Sequence, residues 1–533
     1  MLCQPPDGLL KDNEMNGAES LIRTLLAGRV DTCFANPGTS EIHIVAALDR
    51  ITEMRCVLGL FEGVVTGAAD GYARMAEKPA CTLLHLGPGL GNGLANLHNA
   101  SRAHVPIVNL VGQHATHHLH HDTPLTSDIE AIARPYSKWL RTSASSSEVG
   151  RDAAEAVVAA RTAPGQIATL IVPADVSWSD GGSIAAIPPS SKPALPDAQT
   201  VERAAAVLRS GLRTAILISG NALYGKGLAA AGRIATATNA KLFAPYPVTR
   251  LERGAGAAVV ERIAYVLEQG VEQLKEFRQL ILIGAAAPVA YFAYPGKNSI
   301  FTSAGCEIFA LARPGEDYVG ALEALDATLS PHRTQLLGEN FVGEKVERPP
   351  LADGDITLTG LAGVVGALLP ENAIVVDESM TAGRGMMAAT RGAPPHDWLT
   401  NTGGSIGIGL PLAVGGAVAC PDRKVLCLTA DGSAMYTLQA LWTMARESLD
   451  VTIVVFANHD YAVLRREFSY LGVGKPGPRA SGMFEIGRPD LEWVQLAKGM
   501  GVPGSRVTSL AEFAKALRAG FASQGPNLIE VPL

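Results

Sequence analysis

Cysteine is scarce and unpatterned: the seven residues, Cys3, Cys33, Cys56, Cys81, Cys306, Cys420 and Cys427, include no CxxC pair. An odd number without such spacing excludes a disulfide framework and a zinc ribbon, and it fits a cytoplasmic location. Blocks of basic residues are also missing and the net charge is −7, so no partnership with nucleic acid or an anionic membrane is expected. The N-terminal MLCQPPDGLLKDNE lacks a basic stretch followed by an apolar one, so no secretory leader is predicted and these residues read as a frayed extension. Long apolar runs are limited to one uncharged stretch, Gly403 to Cys420, about long enough to span a bilayer. Its six glycines and one proline suit a buried loop and helix better than a lipid-facing span.

What is present is a chain of 533 residues, 47% hydrophobic and 18% charged, which at roughly 150 residues per core implies three domains with large buried faces. The first segment, 15–180, alternates helical patterns with the apolar runs TCFA, RCVLGLF, ACTLLHL, PIVNLVG and ATLIVP. The linker DGGSIAAIPPSSKPALPDAQ follows. A middle segment, 196–330, repeats the alternation with RTAILISG, AKLFAP, QLILIGA and CEIFALA. A second polar, proline-containing stretch around Pro331–Asp355 leads to the third segment, 356–533, with AIVVDE, KVLCLTA, VTIVVFAN and NLIEVPL. Such alternation predicts an α/β protein of three doubly wound parallel-sheet domains.

The most informative passage is KVLCLTADGSAMYTLQALWTMARESLDVTIVVFANHDY, read as strand, tight turn, helix and strand. Asp431 and Asn458 stand at the carboxyl ends of the two strands, where open α/β sheets bind ligands. In a parallel βαβ unit the two side chains can lie side by side, offering oxygen ligands to a hard cation. The turn Asp431-Gly432-Ser433 also opens a helix, whose free N–H groups favour a phosphate. Taken alone, Asp-Gly-Ser is an ordinary turn with a capping aspartate; the paired Asn458 is what raises it above that.

This passage resembles the thiamine diphosphate motif GDG…NN of the family containing acetolactate synthase, benzoylformate decarboxylase and pyruvate decarboxylase. Ala430 and Ala457 replace the leading glycine and the first asparagine, neither a presumed metal ligand. The resemblance implies thiamine diphosphate and Mg²⁺, with the metal held by Asp431, the Asn458 side chain and the Asp460 carbonyl. Gly432, Ser433 and Tyr461 would meet the cofactor nearby. In FEGVVTGAADGYAR, Glu62 matches the carboxylate that activates the aminopyrimidine, reaching a cofactor bound by the neighbouring subunit of a homodimer or homotetramer. In GGSIGIGLP, Gly403 and Gly404 match residues beside the pyrimidine and Ile406 the apolar prop that bends the cofactor; Glu378, Ser379 and Thr381 map more loosely to cofactor contacts.

Substrate-facing candidates lie in the first segment. Asn36-Pro37-Gly38-Thr39 resembles the NPGS turn of benzoylformate decarboxylase, with Gly38 beside the cofactor and Thr39 in the serine position. His85 matches a proton-transferring histidine of that relative, and His120 and His121 fall on the paired histidines of pyruvate decarboxylase. A structural role for His85, and a solvated tract for the neighbouring His117 and His118, are the alternatives. The middle segment offers Tyr291 and Phe292 in place of a second histidine, and Leu464 replaces an acidic residue of pyruvate decarboxylase. The expected reaction is decarboxylation of a 2-oxo acid, carboligation, or both. FAD is not assigned, since no flavin fingerprint appears in the middle segment. A catalytically silent or hydrolytic relative is the rival, opposed by the joint presence of Glu62, Asp431 and Asn458. A nicotinamide dehydrogenase is disfavoured because GPGLGNG has the wrong spacing and Gln113 ends the next strand.

Overall fold

The computed structural model describes residues 15–329 and 346–533; the N-terminal extension, Cys3 and most of the second linker fall outside them. Most of the apolar runs form strands buried on both faces, while the edge strands within RCVLGLF and CEIFALA are partly exposed. Six parallel strands make the first sheet: β1 (Thr32–Asn36), β2 (Arg55–Leu58), β3 (Ala80–Leu84), β4 (Ile107–Gln113), β5 (Trp139–Thr142) and β6 (Ile167–Pro173), in the order β2-β1-β3-β4-β6-β5. In the second segment lie β7 (Thr214–Ile218), β8 (Lys241–Ala244), β9 (Leu251–Arg253), β10 (Glu261–Arg262), β11 (Gln279–Ile283) and β12 (Glu307–Ala312). Five of these form a parallel sheet ordered β10-β8-β7-β11-β12.

The third sheet contains β13 (Ile374–Glu378), β14 (His396–Thr400), β15 (Val425–Ala430), β16 (Val451–Ala457), β17 (Gly504–Arg506) and β18 (Asn527–Pro532). Its order is β17-β18-β16-β15-β13-β14-β9, so β9 crosses from the second segment and pairs antiparallel with β14, Leu251 opposite Trp398. The strand order reverses between β1 and β3 in the first sheet and between β13 and β15 in the third. Ligands of doubly wound sheets bind outside the carboxyl ends at such reversals. Asn36 ends β1 and His85 follows β3; Glu378 ends β13 and Asp431 follows β15. The connectivity alone therefore gathers most of the candidate residues at two switch points.

The glycine-rich stretch from Gly403 forms a loop and the helix Gly409–Ala419, every residue of which is buried except the last. No helix of the described residues is long and apolar enough to cross a membrane. This helix lies against the helix Glu62–Ala76 of the first segment. Small residues make the approach possible: a Cβ at Gly71 would stand 2.2 Å from the Leu412 carbonyl oxygen, and one at Gly415 2.0 Å from that of Ala68. Val64, Ala68, Leu410 and Ala413 join one apolar core across the two segments.

Near the end of the same helix, Asp70 and Arg74 form an ion pair whose side chains are both 0% exposed, with Nε–Oδ1 2.7 Å and Nη2–Oδ2 2.8 Å. Arg74 also donates to the carbonyls of Thr249 and Thr400 and to the Thr402 hydroxyl. One guanidinium thus ties all three segments together. Removing it would leave Asp70 buried without a counter-charge, so Arg74→Met is expected to lower unfolding free energy by about 3–5 kcal/mol. Urea denaturation checks this, and a loss below about 1 kcal/mol would contradict it.

Candidate active site

At the switch point of the third sheet, β15 and β16 run in register with Ala430 opposite Phe456, so the residues just beyond them are neighbours. Asp431 starts the short helix Asp431–Ala434 and is 1% exposed. Its Oδ1 accepts the Gly432 N–H at 2.8 Å and its Oδ2 the His459 N–H at 2.7 Å, which links the two strand ends directly. Burial holds the carboxyl above the ordinary aspartate range, against those two hydrogen bonds. His459 takes a left-handed φ of 55° and its ring pairs with Asp490 at 2.7 Å, fixing the bend between Asn458 and Asp460. Asn458 Oδ1 accepts the Asp460 N–H at 3.2 Å, and the Asp460 side chain pairs through Oδ2 with Arg465 while its Oδ1 is buried without a hydrogen-bond partner among the described residues; the Asp460 carbonyl is the group that the resemblance assigns to the metal. The Tyr461 ring lies so close to Gly432 that a Cβ there would stand 2.6 Å from Cε1.

These groups fit a hard cation. A buried carboxylate with only N–H partners, an amide oxygen and a carbonyl form an all-oxygen donor set. Among the described residues no three His, Cys, Asp or Glu side chains gather as a metal cluster, consistent with a set containing a single carboxylate. A cavity of about 580 Å³ opens beside Asn458, lined also by Thr357, Thr381, Arg384 and Ala462. Ser433 is buried at the start of the short helix.

Glu378 is 2% exposed and its carboxylate faces the loop before the helix Gly409–Ala419. It accepts N–H groups from Gly407 at 2.9 Å, Ile408 at 3.3 Å and Gly409 at 2.8 Å, and the Asn401 amide at 3.2 Å. The residue therefore braces the Gly403–Ile406 loop from beneath. Ser379 is likewise turned inward, donating to Asp377 Oδ1 at 2.5 Å. Gly404 and Gly407 adopt φ of 82° and 93°, which side chains rarely allow, and Ile406 is half-buried between them. Gly403 abuts the first segment, where a Cβ would stand 2.5 Å from Asn99 Oδ1.

At the switch point of the first sheet, Glu62 is the first residue of its helix and 7% exposed, with Oε2 accepting the Asn92 amide at 3.0 Å. The glycines of GPGLGNG serve helix packing around it: a Cβ at Gly89 would stand 3.1 Å from Glu62 Oε1, and one at Gly93 2.9 Å from Thr66. His85 Nδ1 lies 2.8 Å from Oε2 of Glu41, which is 0% exposed and also accepts the Gly38 N–H at 2.7 Å. Burial holds the Glu41 carboxyl above its ordinary range despite both bonds. Gly38 is required for this contact, since a Cβ there would stand 2.3 Å from His85 Nδ1. Thr39 is exposed at the start of the next turn.

His120 and His121 lie on the exposed 3-10 turn Thr116–His121, ring centroids 3.8 Å apart, with His118 5.1 Å from His121. Within one chain, then, the candidates form two groups: Gly38, Glu62 and His85 on the first sheet, and Asp431, Gly432, Asn458, Asp460 and Tyr461 on the third. Tyr291, Phe292 and Leu464 are exposed. Glu41, Asn92, His459 and Arg74 were not singled out from sequence. Asn92, His459 and Arg74 lie inside the passages GPGLGNG, FANHDY and GYAR, and Glu41 is an acidic residue at a turn after a strand.

Two family profiles match: the thiamine pyrophosphate enzyme N-terminal TPP binding domain over residues 15–132, and the corresponding C-terminal TPP binding domain over residues 381–531. A Mycobacterium tuberculosis protein named as an acetolactate synthase large subunit is 55% identical, over 97% of this chain and 99% of its own length. Benzoylformate decarboxylase of Pseudomonas aeruginosa is 30% identical, over 94% of this chain and 96% of its own. Among solved structures, the thiamine diphosphate-dependent 4-hydroxybenzoylformate decarboxylase of Rhodococcus jostii superposes with a TM-score of 0.83 at 22% identity, covering 97% of this chain and 99% of that one.

Burial raises the Glu378 carboxyl from 4.5 to about 7. The folded state then holds this proton more tightly than the unfolded chain, so the associated stability is full below about 4.5 and is lost as pH rises through about 7. Glu378→Gln is expected to flatten this part of the stability profile, measured by urea unfolding across that range. Parallel wild-type and variant profiles would contradict the assignment.

Proposed function

The chain belongs to the thiamine pyrophosphate enzyme family, as an enzyme of acetolactate synthase and benzoylformate decarboxylase type, and from that premise we propose that it decarboxylates a 2-oxo acid with Mg²⁺ as the metal. The observation carrying this reading is the Asp431–His459 bridge, which sets one buried carboxylate and the Asn458 amide at the same sheet edge. Asp431, Asn458 and the Asp460 carbonyl would hold Mg²⁺, and Gly432, Ser433 and Thr381 would meet the diphosphate. When bound, thiamine diphosphate supplies the carbon nucleophile for the 2-oxo carbonyl and accepts the electrons of the broken C–C bond.

Glu62 would hold a proton at the pyrimidine ring nitrogen, and its burial at a helix start supports a fixed direction for the carboxyl. Ile406, between two glycines of left-handed conformation, would be the apolar residue against which the cofactor rests. His85, oriented through Nδ1 by Glu41, leaves Nε2 as the nitrogen that delivers a proton to product. His120 and His121 provide further proton carriers at the substrate side. A second copy of the chain completes the site in a homodimer or homotetramer, bringing Glu62 of one protomer to the cofactor held by its partner. The exposed Leu60 and Tyr436, adjacent to Glu62 and to the diphosphate turn, support coverage by that copy. The pattern of cysteines supports a cytoplasmic location.

Carboligation is the second reading, favoured by the 55% identical relative named for acetolactate synthesis. The two divide on whether a proton or a second carbonyl takes the new bond. A panel of 2-oxo acids, with CO₂ and condensation products both measured, distinguishes them; CO₂ with the free aldehyde is the expected result, and an acyloin product would favour carboligation. Glu62→Gln is expected to lower turnover by about 10²–10⁴-fold while thiamine diphosphate binding, followed by calorimetry, stays close to wild type. Full activity in the variant would remove Glu62 from its role.

A further inference from the structure

The cavity beside Asn458 contains one ionised side chain among the residues that line it, Arg384. It stands on the connection between β13 and the helix Met386–Ala389, three residues after Thr381, which lines the same space. The connection is a set of tight turns: Ala382 N–H donates to Ser379 O at 3.0 Å and Met386 N–H to Gly383 O at 3.1 Å, with Met380 at φ 51° and Gly385 at φ 86°. Thr381 and Arg384 are thereby carried on one compact loop at the switch point.

The other cations near this edge are already engaged. Arg262 stacks on the Tyr246 ring at 5.3 Å, Arg466 on Tyr265 at 5.3 Å, and Arg465 pairs with Asp460. Arg384 is exposed and, among the described residues, no hydrogen bond or ion pair holds it. Resting on the cofactor reading above, we infer that Arg384 is a diphosphate-binding residue, pairing with the phosphate oxygens that the metal does not neutralise. A diphosphate is a polyanion, and the metal's charge would be shared with Asp431, so a bound diphosphate would present excess negative charge to the cavity. The planar guanidinium matches phosphate oxygens two at a time, which an ammonium cannot do.

Calorimetric titration of the full-length protein with Mg²⁺ and thiamine diphosphate, thiamine monophosphate or unphosphorylated thiamine tests this, using wild type, Arg384→Gln and Arg384→Lys. Arg384→Gln is expected to weaken thiamine diphosphate binding by about tenfold or more and to leave unphosphorylated thiamine unchanged. Arg384→Lys should recover part of the loss, and the salt dependence of diphosphate binding should be shallower in Arg384→Gln. Equal diphosphate affinity in wild type and Arg384→Gln would overturn the inference while leaving the cofactor reading in place. Failure of the wild-type protein to bind thiamine diphosphate would overturn both.

Discussion

A carboxylate sealed into the edge of a parallel sheet, with only N–H groups beside it, is the constraint on which the rest of this structure depends. Asp431 joins the ends of β15 and β16 through the His459 N–H, and that bond places Asn458 and the Asp460 carbonyl alongside. Burying such a charge without a cation costs several kcal/mol, which the raised Asp431 carboxyl reflects. Two hydrogen bonds offset part of that cost. A bound divalent ion would offset the remainder, and the sheet edge would then be more stable loaded than bare.

The helix Glu62–Ala76 relates the two halves of the chemistry. Its first residue is the candidate proton carrier, and its last full turn carries Arg74, which holds the backbone at Thr400 and the Thr402 hydroxyl immediately before the Gly403–Ile406 loop. Glu378 supports the far side of that loop through three consecutive N–H groups. The loop is therefore clamped between a buried cation at its start and a buried carboxylate at its end. Rigid support of this kind is what would hold Ile406, in its proposed role as a prop, to within the tolerance that catalysis requires.

Most of the fold was legible because its strands are short apolar runs buried on both faces, as AIVVDE, KVLCLTA and VTIVVFAN show. Several strands, β5, β9, β10, β14 and β17, lack such a run. The run HDWLT of β14 has polar residues at both ends, and β9 is three residues long and borrowed by a sheet in another segment, a pairing with no local signature. Motif residues stood out where chemistry and turn geometry coincide, as at Asp431 and Asn458. The supporting roles did not. Glu378 reads as a cofactor contact in sequence, yet its oxygens are engaged by N–H groups some thirty residues away. Glu41 is hidden behind glycines, since a Cβ at Gly112 would stand 1.6 Å from its Oε1, and no periodicity reports such a gap.

Thermal unfolding with and without thiamine diphosphate and Mg²⁺, on wild type and Asp431→Asn, bears most directly on the central claim. If the buried carboxylate anchors the metal and through it the diphosphate, the wild-type midpoint rises with the two ligands together, by about 2.7 kcal/mol of added stability at a hundredfold excess over Kd, and the variant's does not. An equal rise in both proteins, or none in the wild type, would contradict the account.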